Sequence, residues 1–212
     1  MRTLLRFFFR LLYHPFAFAY DLVAATVSVG RWNDWVASAL PFLHGTRILE
    51  LGSGPGHLQR LLLSRGLLAV AIDESAPMLR LAQRNLLKAR PHLTRGLAQH
   101  LPFAEAAFET VVATFPAEYI TDPRTLLEVR RCLSDGGRFV VIPVALQMGR
   151  GPLERLMALL FRVTGQTPAN PLEEVKARLQ APFMEAGFVV SIHEVPVRSS
   201  LVLVVLAEKK EE

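Results

Sequence analysis

Three glycines at alternate positions, Gly52, Gly54 and Gly56, follow an apolar approach from Thr46 to Leu51 and precede a helically spaced run from His57 to Arg65. Glycine at such a strand-to-helix turn can take positive φ and, lacking Cβ, lets a ligand lie against the main chain. The helix behind it presents unpaired N–H groups and the positive end of its dipole. Asp73 stands 21 residues after Gly52, closing the next apolar run. On an adjacent parallel strand that carboxylate falls beside the turn, where it can accept hydrogen bonds from both hydroxyls of a ribose. The turn and the acid together predict an adenosine-like ligand. The spacing is G-x-G-x-G rather than G-x-G-x-x-G, and no Gly-Lys-Ser/Thr follows to hold a triphosphate.

Few other residues have chemistry written into their spacing. His57 falls in the first turn after the loop, a place where histidine is often only structural. His100, Glu118 and Tyr119 flank the expected acceptor side and are the better general-base candidates, but none has a partner visible in the sequence, so no catalytic residue is assigned. His14, His44, His92 and His193 show no metal-ligand spacing, and no metal is expected. Cys132 is the single cysteine, which excludes an internal disulfide or Cys-based zinc site and points to a reducing compartment.

The elements that must position these residues alternate along the chain. Strands are predicted at Thr46 to Leu51, Leu68 to Ile72, Leu93 to Leu97, Thr110 to Thr114 and Arg138 to Val144, with an Asp135-Gly136-Gly137 turn before the last. Helices separate them. One stops at Gly66, one is capped by Ser75 with Pro77 in its first turn, and one runs from Pro123 to Leu133. A helix from Leu172 to Ala186 and two strands, Phe188 to Val195 and Ser200 to Ala207, close the domain as a hairpin. The expected fold is α/β: a doubly wound, Rossmann-like, mostly parallel seven-stranded sheet with an antiparallel C-terminal hairpin. Lys209 and Lys210 are expected on a solvated face.

Length and composition agree with one domain and short appendages. The 212 residues are 51% hydrophobic and 20% charged, which excludes a disordered chain, and the formal charge of +5 favours anionic surfaces. Arg2, Arg6 and Arg10 recur four apart, forming one narrow basic stripe on a helix otherwise covered by Leu and Phe. Such a helix can lie in a membrane interface or cover a groove on its own domain. Asp21 near the middle of the apolar run from Leu11 to Gly30 argues against a transmembrane helix. Leu153 to Val163 is a second strongly apolar segment.

Several motifs in order resemble those of class I S-adenosylmethionine-dependent methyltransferases. They are Glu50-Leu51-Gly52-Ser53-Gly54-Pro55-Gly56, Ala71 to Leu79, Leu101-Pro102-Phe103 and Arg131 to Phe139. The Tyr20-Asp21 start and the Leu-Pro-Phe loop are most similar to the branch with ubiquinone and menaquinone C-methyltransferases. The resemblance, of methyltransferase type 11 character, implies S-adenosyl-L-methionine as cofactor. It places Glu50, Gly52, Ser53, Gly54 and Gly56 at the methionine end and Asp73 on the ribose, with Glu74 and Met78 beside the adenosine. Ala98 and Gln99 would meet the adenine, Thr114 and Phe115 the methionine amino group, and Tyr20 would close over the cofactor. The family often has an Asp accepting the adenine amino group where this chain has Leu97.

On this reading residues 1–43 are a helical lid or membrane-interface segment. Residues 44–212 are the cofactor-binding domain, with a helical insert at about 150–170. The expected function is methyl transfer to a small, lipophilic acceptor such as a quinone precursor or lipid, in the cytoplasm and at the inner face of a membrane. Scattered arginines argue against a nucleic-acid acceptor. Two alternatives stay open at this stage. One is a non-catalytic, membrane-associated assembly protein retaining the fold. The other is an NAD-dependent oxidoreductase, which Asp73 suits but the glycine spacing does not.

Overall fold

A computed structural model describes residues 31–147 and 171–210. Tyr20, the arginine stripe and the expected insert at about 150–170 lie outside these residues. In chain order the elements are α1 (Trp32–Ala37), β1 (Arg47–Leu51), α2 (His57–Ser64), β2 (Leu68–Asp73), α3 (Ala76–Asn85), β3 (His92–Arg95) and β4 (Phe108–Thr114). There follow α4 (Pro123–Cys132), β5 (Leu133–Gln147), α5 (Pro171–Glu185), β6 (Phe188–Val197) and β7 (Ser200–Lys209). The seven strands form one sheet in the order β3-β2-β1-β4-β5-β7-β6. Strands β1 to β5 pair in parallel, whereas β7 is antiparallel to both β5 and β6. The expected doubly wound sheet with a closing hairpin is the fold observed.

Helices on both faces explain why the central strands do not alternate. Leu49, Leu51, Val111 and Phe139 face one apolar cluster with Leu126 and Val129 of α4 and Phe183 of α5. Ile48, Val112 and Val140 face the other, with Leu58 and Leu62 of α2 and Trp35 and Val36 of α1. Strands buried on both sides need apolar residues at successive positions, and that is how β1 and β4 read.

Strand order reverses at β1. From β1 the chain winds outward through β2 and β3, then returns to place β4 on the other side. The C-terminal edge at such a reversal leaves a crevice for a ligand. The pairing of Leu51 with Ile72 brings the glycine turn beside the end of β2, and Gly52 N donates to Ile72 O at 2.8 Å.

Two local expectations are corrected. The Asp135-Gly136-Gly137 turn lies within β5, which already pairs Leu133 with Phe108 before resuming at Arg138 opposite Thr110. Gly136 at φ 69° lets the main chain kink there without leaving the sheet. Lys209 is not solvated: it is 9% exposed, donating from Nζ to Leu133 O at 2.9 Å and pairing with Asp135 Oδ1 at 3.2 Å. Its position on β7 beside this irregular start of β5 lets the ammonium satisfy a carbonyl that the ladder leaves over.

Candidate functional site

Asp73 ends β2, and its carboxylate ties the surrounding turns together. Oδ2 accepts from Gly54 N and Oδ1 from Ser75 N, both at 2.8 Å. The first bond holds the glycine turn against β2; the second holds the start of α3, where Ser75 Oγ accepts from Met78 N as the N-cap. These two main-chain donors fix the carboxylate at the end of β2, on the wall where a ligand's hydroxyls can approach it. Gly52, Gly54 and Gly56 all have positive φ, at 71°, 50° and 89°. A Cβ on Gly54 would meet nothing within 4 Å, so this residue's open side faces space.

That space is a cavity of about 420 Å³. It is walled by Gly52, Gly54, Ile72, Asp73, Glu74 and Ser75 on one side and by residues 96–99 below. Thr114, Phe115, Pro116, Ala117 and Tyr119, which follow β4, complete it. Of the residues singled out from sequence, Gly52, Gly54, Asp73, Glu74, Ala98, Gln99, Thr114 and Phe115 come together in this lining. Glu50, Ser53, Gly56 and Met78 do not reach it. Met78 is wholly buried and packs in the interior, while Gly56 sits against Leu86 of the segment after α3. His100 and Glu118 are exposed and lie outside the lining.

Glu50 is 1% exposed, and Ser53 and Gln59 near it in the chain are buried too. Its Oε2 has no hydrogen-bond partner among the described residues, and neither do Ser53 Oγ or the two amide atoms of Gln59. Burial pushes the Glu50 carboxyl well above its ordinary range, and the nearby Asp73 carboxylate adds to this.

Beyond β4 the chain is held in an unusual conformation. Phe115 has φ 50° although it carries a side chain, and its N–H donates to Ile142 O at 2.7 Å. Its ring lies 4.5 Å from that of Trp32 and 6.0 Å from that of Trp35, so α1 packs directly on the rim of the cavity. Tyr119 stands on the short 3-10 turn Glu118–Thr121 and donates from Oη to Leu51 O at 3.4 Å. Tyr119, expected on the acceptor side, lines the cavity with Phe115 and also reaches the end of β1.

The lower wall, residues 96–99, is built by contacts with no local signature. Arg131 of α4 donates to Phe103 O at 2.8 Å and Leu101 O at 3.1 Å, and forks onto Glu128. The Glu-x-x-Arg spacing on a helix was readable. Its targets, nearly 30 residues away, were not. Gln99 Nε2 donates to Asp122 Oδ2 at 3.4 Å, and Asp122 caps α4 through Arg124 N. Leu97 lines the cavity and is 44% exposed.

A glycine cradle with room above it, a fixed carboxylate on the cavity wall and a mixed apolar and polar lining fit a nucleoside joined to an amino acid. The size is also in the range for small-ligand sites.

Comparison with known proteins agrees with this geometry. A methyltransferase domain family matches residues 49–141, from the middle of β1 into β5. A demethylmenaquinone methyltransferase of Thermobifida fusca is 32% identical over 145 residues, covering 65% of this chain and 61% of that protein. The enzyme of the same name from Mycobacterium marinum is 32% identical over 161 residues, covering 72% and 68%. The chain thus spans about 61% to 68% of the length of these relatives. A crystal structure from Methanococcus maripaludis, described as a putative S-adenosyl-L-methionine-dependent methyltransferase, superposes with a TM-score of 0.62. It is 18% identical and covers 92% of this chain and 93% of its own, a likeness of fold. With the glycine turn, the Asp73 carboxylate and the closing hairpin arranged as described, the chain belongs to the class I S-adenosylmethionine-dependent methyltransferases.

Proposed function

We propose that this protein transfers a methyl group from S-adenosylmethionine to a small lipophilic acceptor. The observation that carries the reading is the cavity at the β1/β4 reversal, where a fixed Asp73 carboxylate faces an open glycine turn. When bound, the cofactor supplies an electrophilic methyl group on a sulfonium. The protein's task is then to bind, orient and exclude water.

Each wall has a part in this. Asp73 takes the ribose hydroxyls, and Gly52 and Gly54 allow close approach of the main chain. Glu74 lies beside the ribose, and Ala98 and Gln99 meet the base. Thr114 and Phe115 flank the methionine end, and Tyr20, which lies outside the described residues, would close the site. Glu50, Ser53 and Gly56 support the turn from beneath, and Met78 seats α3 behind it. Among the described residues no buried acid–base pair faces the cavity, and no base is assigned.

The acceptor reading rests on the apolar surroundings: Phe115, Pro116, Ala117 and Tyr119 at the rim, with Trp32 behind Phe115. Relatives named as demethylmenaquinone methyltransferases support a quinone precursor or another lipid. Among the described residues no helix is long and apolar enough to cross a membrane. Residues 1–13, with their arginine stripe, would bring the protein to an anionic surface.

The test is a transfer assay with labelled cofactor across lipid extracts, nucleic acid and polar metabolites. Label entering the lipid fraction supports the reading, and label confined to the aqueous or nucleic-acid fractions refutes it. Cofactor binding with no transfer to any pool would favour a non-catalytic binding protein. Tight binding of NAD in place of S-adenosylhomocysteine would overturn the cofactor.

A further inference from the structure

We propose that Arg131 and Glu128, which do not line the cavity, are positioning residues that set selectivity for the base of the cofactor. The inference rests on the cofactor reading above and goes beyond it, from which groups touch the base to what holds them in place.

Residues 96–107 connect β3 to β4 without helix or strand, so no ladder fixes the stretch that forms the lower wall. Two anchors do. At one end Gly96 N donates to Asp73 O at 3.2 Å. At the other, both main-chain groups of Leu101 are taken: its N–H by Glu128 Oε2 at 2.7 Å, its carbonyl by Arg131 at 3.1 Å. Arg131 also holds Phe103 O at 2.8 Å, while two bonds of 2.8 Å lock its fork to Glu128. The pairing with Arg131 keeps the Glu128 carboxyl below the ordinary carboxylate range, so it is ionised at neutral pH.

Between the anchors His100 N donates to Leu97 O at 3.1 Å, closing a tight turn. Among the described residues no hydrogen bond engages the main-chain groups of Ala98 or Gln99, and both residues line the cavity. The neighbouring Leu97 side chain is apolar. Discrimination of a base edge therefore falls to those main-chain groups and the Gln99 amide. The amide nitrogen is drawn to Asp122, at the N-terminus of the same helix, which leaves the oxygen as an acceptor. An amide oxygen suits a 6-amino purine and repels a 6-keto one. Only a wall held in register beforehand can apply that distinction without spending binding energy on ordering itself. A planar guanidinium fits two carbonyls and a carboxylate at once, which a lysine ammonium does not.

The experiment is calorimetric titration of the full chain with S-adenosylhomocysteine and S-inosylhomocysteine. Wild type, Arg131→Met, Arg131→Lys and Glu128→Gln are compared. Wild type is expected to prefer the adenosyl compound by about tenfold or more, the value of one well-placed hydrogen bond. Both Arg131 variants should bring the ratio of affinities close to one, with Glu128→Gln intermediate. If Arg131→Met fails to fold, the other two variants carry the test. A change that merely loosens the fold lowers both affinities by the same factor, and an unchanged ratio overturns the inference. So does a wild-type protein that does not discriminate. If wild type binds neither compound, the cofactor reading itself falls and takes this inference with it.

Discussion

Replacing Asp73 by alanine should damage the protein in two separable ways. The carboxylate accepts 2.8 Å bonds from Gly54 N and Ser75 N, so its loss releases the glycine turn from β2 and the start of α3 from its anchor. Hydrogen bonds to a charged acceptor contribute about 1.5–3 kcal/mol each. The site is half-buried and water can replace part of the lost bonding, so the lower bound applies, about 3 kcal/mol of stability for the two. The second loss is in binding. Two ribose hydroxyls forfeiting a charged acceptor should weaken S-adenosylhomocysteine by at least about 3 kcal/mol, roughly a hundredfold or more. Asp73→Asn keeps one acceptor oxygen but turns an NH2 toward the other donor, and should lose about half as much on both counts. Urea unfolding gives the first quantity and calorimetry below the unfolding transition gives the second. An Asp73→Ala protein that is destabilised but binds S-adenosylhomocysteine as tightly as wild type would show that the carboxylate is only a structural clamp.

Three further outcomes are expected. Gly52→Ala places a Cβ 2.5 Å from Tyr119 Oη at φ 71°. Its cost should fall to the ~1–2 kcal/mol of left-handed strain in a Tyr119→Phe background, where the next atom is 3.7 Å away; equal costs in both backgrounds by urea unfolding would refute the contact. The buried Glu50 carboxyl has its folded pKa raised above the ordinary 4.5, so the stability it lends is present below that pH and lost as pH rises through the folded value. Without ligand, Glu50→Gln should therefore gain in melting temperature over wild type as pH increases, and a difference constant across pH would contradict this. Finally, binding to acidic vesicles should fall with salt and on removal of residues 1–13, and equal binding by a chain starting at Pro15 would dissociate that segment from membrane contact.

Much of the fold was legible because it is written in local patterns. Apolar runs of strand length, the Ser75 cap with Pro77 behind it and positive-φ glycines at Gly52 and Gly66 are determined within a few residues of themselves. Strand-helix alternation then implies a parallel sheet, and Asp73 at the end of one strand must come near the turn at the end of its neighbour. The sequence by itself thus determined the cradle and its acid.

Only the tertiary structure decided what surrounds them, because those contacts join residues far apart in the chain. Arg131 reaches the carbonyls of Leu101 and Phe103 because α4 packs under the loop before β4. Tyr119 reaches Leu51 O because β4 lies next to β1, and Trp32 meets Phe115 because α1 covers the same end of the sheet. Lys209 looks like part of a charged tail, yet β7 runs beside the irregular start of β5 and the ammonium finds a buried carbonyl there. Glu50, expected at the methionine end from its place in the glycine motif, is a buried residue of β1. The direction of its side chain is set by the pleat of β1, which puts it on the same face of the sheet as Ile48. Local sequence carries backbone conformation well. Which polar group meets which is settled by strand order and helix packing, and a one-residue change in register would reassign every such contact.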